Sequence, residues 1–246
     1  MTKSTSGWQS KELAETFLQG VRGAIPAAGM QLEVIAHILH AWVPTPRVII
    51  DLGCGDGALG RSLLEQFPAT KFVFADFSEP MLTAARARLG QHSRAVVVAA
   101  DFATADWREG LEEFGPVDVV LSGFAIHHQP DRRKREIYAE IHQLLAGGGV
   151  FLNLEHVSSP TFAVAELFDQ YFIDHLLRFH QTREPAKTRE EIAADYYKRP
   201  DKNENILAPV ALQCNWLRET GFTDVACFLK VFELALFGGR KAKAPA

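Results

Sequence analysis

Val48-Ile-Ile-Asp-Leu-Gly-Cys-Gly-Asp-Gly57 is a short apolar run that meets an acid and then turns on three glycines. The apolar residues predict a strand, and the glycines predict a sharp turn with a helix starting directly after it. Gly53 and Gly55 carry no Cβ, so a ligand can lie against the backbone and the turn can use positive φ. The helix start adds N–H groups with no partner in their own helix. Dinucleotide and phosphate sites use the same device, so three details discriminate. The spacing is G-x-G-x-G, not G-x-G-x-x-G. No Lys-Ser/Thr pair is present, which excludes a P-loop. Asp51 opens the motif, where it would repel a pyrophosphate but welcome a cationic sulfonium or ammonium.

Outward from this turn the chain alternates. Apolar runs at Val48–Ile50, Phe72–Ala75, Ala95–Ala99, Val117–Leu121 and Val150–Leu154 are separated by helical patterns such as Leu59/Leu63/Leu64/Phe67 and Ile137/Ile141/Leu144/Leu145. Apolar strands interleaved with amphipathic helices predict a parallel sheet covered on both faces. The Ala146-Gly-Gly-Gly149 stretch reads as a helix stopped by glycine. Upstream, Leu13/Phe17/Leu18 and Leu32/Ile35/Ala36/Leu39 predict two helices, closed by Pro44-Thr-Pro46. Downstream, a long helix is expected over 162–180 and a polar segment over 181–205. A helix from about Pro209 to Glu219 follows, then strands at Asp224–Val231 and Glu233–Phe237.

Composition bounds the function. The 246 residues are 47% hydrophobic and 23% charged, as in an ordinary globular domain, with a formal net charge of -4. That balance argues against nucleic acid, whose binders concentrate positive charge. The densest basic run, Arg132–Arg135, reads as solvated turns of a helix. Cys54, Cys214 and Cys227 have no metal-ligand spacing and suit a reducing, cytoplasmic setting. No signal-peptide core is visible, and no apolar stretch approaches the ~18 residues of a membrane span, so no membrane partner is expected.

The next strands carry polar or aromatic residues at their carboxyl ends: Asp76-Phe77, Asp101-Phe102 and Ser122…His127-His128. An open α/β sheet builds its ligand crevice along that edge. Asp76, about 20 residues past the glycine turn, can accept hydrogen bonds from both hydroxyls of a ribose. Together with Asp51-Leu-Gly-Cys-Gly-Asp-Gly57 and Asp118–Ser122, these residues resemble the Rossmann-like S-adenosylmethionine methyltransferases, strongly over 47–155. The resemblance implies a seven-stranded, mostly parallel sheet closed by a reversed hairpin, with S-adenosylmethionine as cofactor. It places Asp51, Gly53 and Gly55 at the methionine moiety, Asp76 at the ribose, Asp101 and Phe102 at the adenine, and Ser122 near the methionine amine, with Cys54 and Phe77 as further cofactor-binding residues. Ile25-Pro26, Ala165…His175 and Lys198-Arg199…Asn205 are further similar to the carboxy-S-adenosylmethionine synthase branch, although the glycine turn has the methyltransferase form.

The expected architecture is one α/β domain: a helical cover over 8–43, the cofactor-binding core over 47–155, an inserted helical lid over 156–206, and a final helix and hairpin over 207–246. The expected reaction is methyl transfer to a small-molecule acceptor. Cofactor modification of the synthase kind and binding without turnover are the alternatives. His127 and His128 follow the fourth strand and are the candidate catalytic residues. The scattered Glu155, His156, Asp169, Asp174, His175 and His180 read as a solvated face and not as a metal site. On the lid, Tyr171, His175, Arg178 and Arg199 are candidates for substrate contact, an arginine suiting a carboxylate. The apolar face Val164/Leu167/Phe168/Tyr171/Phe172/Leu176/Phe179 predicts a lid and a homodimer contact.

Overall fold

The computed structural model describes residues 24–181, 187–199, 202 and 204–243. The helix expected around Leu13–Leu18 lies outside them. Seven strands form one sheet in the order β3-β2-β1-β4-β5-β7-β6. They are β1 (Val48–Leu52), β2 (Lys71–Asp76), β3 (Ala95–Ala99), β4 (Val117–Gly123), β5 (Leu145–His156), β6 (Phe222–Val231) and β7 (Leu234–Lys241). β1 to β5 pair in parallel, while β7 runs antiparallel to both β5 and β6. The strand order reverses between β1 and β4, and a ligand crevice opens at such a switch point.

Helices cover both faces, because β1, β2, β4 and β5 bury nearly every residue on alternating sides. On one face Ile49, Phe72, Phe74, Val119 and Leu152 pack against α1 (Ala28–Trp42), α2 (Ala58–Arg61) and α3 (Glu79–Leu89). On the other, Ile50, Leu52, Val73, Val120 and Phe151 meet α4 (Asp131–Leu144) and α7 (Val210–Thr220). Each fully buried Leu, Ile or Phe contributes about 1.5–3 kcal/mol of apolar transfer free energy. α7 starts after Pro209 and ends on Gly221, whose φ of 106° closes the helix as the sequence predicts.

Four local readings are corrected. Gly147–Gly149 do not stop a helix: α4 ends at Leu144, and the glycines enter β5 through a bulge opposite Val117/Val119. After the glycine turn only Ala58–Arg61 is α-helical, and tighter turns carry the chain to Phe67. The basic run is half buried. Arg132 is exposed, but Arg133 and Lys134 are not, and Lys134 bonds Asp131 at 2.8 Å and the Ile206 carbonyl. The polar segment after 181 contains a helix, α6 (Arg189–Lys198), opened by a Thr188/Glu191 capping box.

α5 (Phe162–Gln181) is the long helix inserted between β5 and α6. Its apolar face is largely satisfied within the chain: Phe168, Phe172, Ile173 and Leu176 pack with Ala24, Leu234 and with Ile192 and Tyr196 of α6. Phe172 is therefore a core residue and not a dimer anchor. Phe162 and Leu167 remain exposed, at 80% and 59%. Among the described residues no helix is long and apolar enough to cross a membrane.

Candidate functional site

β1 delivers Asp51 to the sheet edge, where its buried carboxylate accepts the Gly60 N–H at 2.8 Å and ties the glycine turn to α2. The turn itself has φ of 68°, 55° and 78° at Gly53, Gly55 and Gly57. Gly53 and Cys54 both donate to the Ala75 carbonyl, so the turn is sewn onto β2. A Cβ on Gly53 would lie 2.3 Å from that of Ala125, whereas one on Gly55 would meet nothing within 4 Å. Gly53 thus serves close packing of the β4 loop, and Gly55 faces open space.

Asp76, at the end of β2, accepts Gly55 N–H at 2.8 Å and Ser78 N–H at 2.9 Å. Burial raises its pKa; the backbone hydrogen bonds from Ser78, Gly55 and Phe77 oppose this, and the Asp101 charge adds to the rise. Phe77 is half-buried beside it. Asp101 is exposed and accepts the Ala103 N–H at 3.0 Å. Phe102 is buried, and its ring packs under Gly53 as a floor for the turn. Cys54 is buried too, its thiol donating to the Gly55 carbonyl at 3.4 Å. Ser122 is fully buried and donates to the Leu52 carbonyl at 2.8 Å, which commits its hydroxyl to the sheet.

β4 ends at Gly123, and Phe124 then takes a φ of 54°, a conformation that costs a non-glycine residue energy and clusters at functional sites. Its N–H donates to the Leu154 carbonyl at 2.7 Å, and the chain folds back so that His127 meets Glu155. His127 Nδ1 lies 2.5 Å from Glu155 Oε1, and the His127 N–H donates to Oε2 at 3.0 Å. Glu155 also accepts the His156 N–H at 3.0 Å. Burial pushes the Glu155 carboxyl up to about 7. The His128 ring is 3.9 Å from that of His127, and burial, helped by His127, holds it down at about 4. His156 follows, 5.8 Å from His127 between ring centres, with its Nε2 2.8 Å from Glu233 Oε2.

A series of rings continues from His156 through Phe168 (5.6 Å), Phe232 (6.4 Å) and Tyr171 (5.4 Å) to His175 (4.6 Å). Partial burial and the nearby Arg178 lower the His175 pKa. Two of the lid candidates therefore connect to the histidines. Arg178 is exposed and donates to the Asp174 carbonyl of its own helix at 3.1 Å. Arg199 lies 4.8 Å from the Tyr196 ring centre. Sequence reasoning missed Glu155 as the partner of His127, Glu233 as the partner of His156, and the 204–208 stretch above them. That stretch is held by Ile206 N–H donating to the His127 carbonyl and by the Glu204 carbonyl facing His128 Nδ1.

Residues 50–151 match the family described as "Methyltransferase domain". Trans-aconitate 2-methyltransferase of Acidovorax sp. (strain JS42) is 47% identical over 58 residues, which are 24% of this chain and 21% of that protein. The chain thus matches about a fifth of that relative's length. Carboxy-S-adenosyl-L-methionine synthase of Chromohalobacter salexigens is 24% identical over 233 residues, spanning 92% of this chain and 80% of that one. Human N-acetylserotonin methyltransferase, solved in complex with S-adenosylmethionine, shares the fold with a TM-score of 0.64 at 15% identity, over 97% of this chain and 59% of that one. Sequence match and fold agree over residues 50–151, which match a methyltransferase domain within a seven-stranded sheet of the Rossmann-like fold seen in the solved methyltransferase.

Proposed function

We propose that the chain transfers a methyl group from S-adenosylmethionine to a small-molecule acceptor presented to His127. The buried His127–Glu155 pair at the carboxyl edge of the sheet carries this reading. The cradle fits the cofactor. The space at Gly55 is open, the Asp76 carboxylate has acceptor capacity left for ribose hydroxyls, and Asp101 is near enough to act on Asp76. When bound, S-adenosylmethionine supplies a methyl group on a positively charged sulfur. The chain's part is alignment and exclusion of water. With Glu155 accepting Nδ1–H, the His127 ring is held in one orientation, and Nε2 takes the proton of a hydroxyl or amine acceptor. His128, held at about 4, stays neutral at pH 7 and adds no competing charge. Tyr171 and His175 wall the approach from α5, and Arg199 is the candidate clamp for a carboxylate.

Modification of the cofactor itself is the second reading, favoured by the synthase match over 92% of the chain. Product mass separates the two: an acceptor gains one CH₂ equivalent in the first, whereas the second yields a heavier cofactor product. Calorimetry should show S-adenosylhomocysteine binding, weakened in Asp76→Ala by about 1–3 kcal/mol through lost charged hydrogen bonds. Binding of NAD in its place would overturn the reading, and binding without any product would leave a sensor.

We also propose a homodimer formed through the exposed Phe162 and Leu167 of α5. Light scattering at micromolar concentration should give twice 27.3 kDa, and the single-chain mass would overturn it. Cys54, Cys214 and Cys227 form no disulfide, which supports a reducing, cytoplasmic setting.

A further inference from the structure

We infer that Arg133 is a positioning residue for the adenine end of the cofactor site, acting through the 101–108 loop. The inference rests on the cofactor reading above. Arg133 sits in the first turn of α4 with its guanidinium turned into the protein. Its Nε donates to the Phe102 carbonyl at 2.8 Å, and Nη2 donates to the Thr104 carbonyl at 2.8 Å. Nη1 and Nη2 also donate to Glu140 at 2.7 and 2.6 Å, and Nη1 reaches Glu136 at 3.3 Å. These contacts engage all five guanidinium donors. Glu140 in turn accepts the Trp107 indole N–H at 2.6 Å, so one partly buried ion pair holds the loop at residues 102, 104 and 107.

The consequence for the site follows from peptide planarity. The Phe102 C=O and the Ala103 N–H belong to one peptide unit and point in opposite directions. Arg133 draws the carbonyl towards α4, and the N–H on the other side is thereby aimed at Asp101 Oδ1, which it meets at 3.0 Å. The carboxylate that would accept the exocyclic amine of adenine is oriented by a residue that never touches the ligand. A lysine offers a point charge without the planar fork and cannot hold two carbonyls and a carboxylate at once.

The test compares S-adenosylhomocysteine with S-inosylhomocysteine, in which an oxygen replaces the adenine amine, by calorimetry on the wild type, Arg133→Lys and Glu140→Gln. The wild type should prefer the adenine ligand, because a carboxylate accepts from an amine and repels a carbonyl oxygen. Arg133→Lys should lose about tenfold or more in S-adenosylhomocysteine affinity, and much less for the inosyl ligand, so that the preference collapses. Glu140→Gln keeps an acceptor for Trp107 and should shift the preference the same way. It decides the matter if the lysine variant does not fold. Equal losses for both ligands, or no loss in either variant, would overturn the inference. So would a wild type without preference between them. A wild type that binds neither ligand would instead remove the cofactor reading on which it rests.

Discussion

Replacing His127 with alanine should lower turnover by about 10²–10⁴-fold, the range for loss of a general base, with little change in S-adenosylhomocysteine affinity. The two effects separate because the cradle stands on β1 and β2, while His127 follows β4 and bonds to β5. The base needs a lone pair on Nε2, and this requires the proton on Nδ1 with Glu155 ionised. While Glu155 and His127 share an extra proton, the ring cannot accept another. Activity should therefore rise with pH through an apparent pKa near that of Glu155, about 7, a value belonging to the pair and not to either residue. The alanine variant should lose this dependence along with the rate. Full turnover in His127→Ala across pH 6–9 would return His127 to a structural role. It would point to an acceptor that is already ionised, such as a carboxylate, which needs no base.

The sheet was legible because parallel strands buried on both faces leave an apolar signature, and Val48–Ile50, Phe72–Ala75 and Val119–Leu121 each show one. The glycine turn was legible for a steric reason, since a Cβ at Gly53 would collide with Ala125. Gly147–Gly149 were misread because glycine both stops helices and permits bulges, and only the pairing of β5 with β4 decides which. Arg133 and Lys134 were misread because a charged run is usually solvated; their burial depends on Glu140 and on the Ile206 carbonyl, 7 and 72 positions away. The Thr188-Arg-Glu-Glu191 capping signature was in plain view within a segment set aside as polar. Glu155 carried a weaker sign. It ends an apolar strand as Asp76 does, but its partnership with His127 exists only because the two chains leave adjacent strands together.

That partnership is also where the chain should be easiest to break. Glu155→Ala is expected to destabilise the fold by about 3–5 kcal/mol, the cost of removing one member of a buried pair. Three donors would lose their acceptor: His127 Nδ1–H, the His127 N–H and the His156 N–H. Urea denaturation should show this as a lower midpoint at unchanged slope. The same carboxyl gives the wild type a pH signature. Its pKa in the folded state, about 7, stands above the ordinary value of 4.5, so the folded state favours the protonated form. The stabilisation is complete below about pH 4.5 and is lost progressively as pH rises to about 7, after which it stays lost. Stability should fall across the window in which activity climbs, because one proton leaving the pair both frees the base and leaves a charge in the core. Glu155→Gln, which cannot ionise, should flatten the stability slope between pH 4.5 and 7. If that variant keeps the wild-type slope, the titrating group is another one, and the link between the proton on the pair and the readiness of His127 is broken.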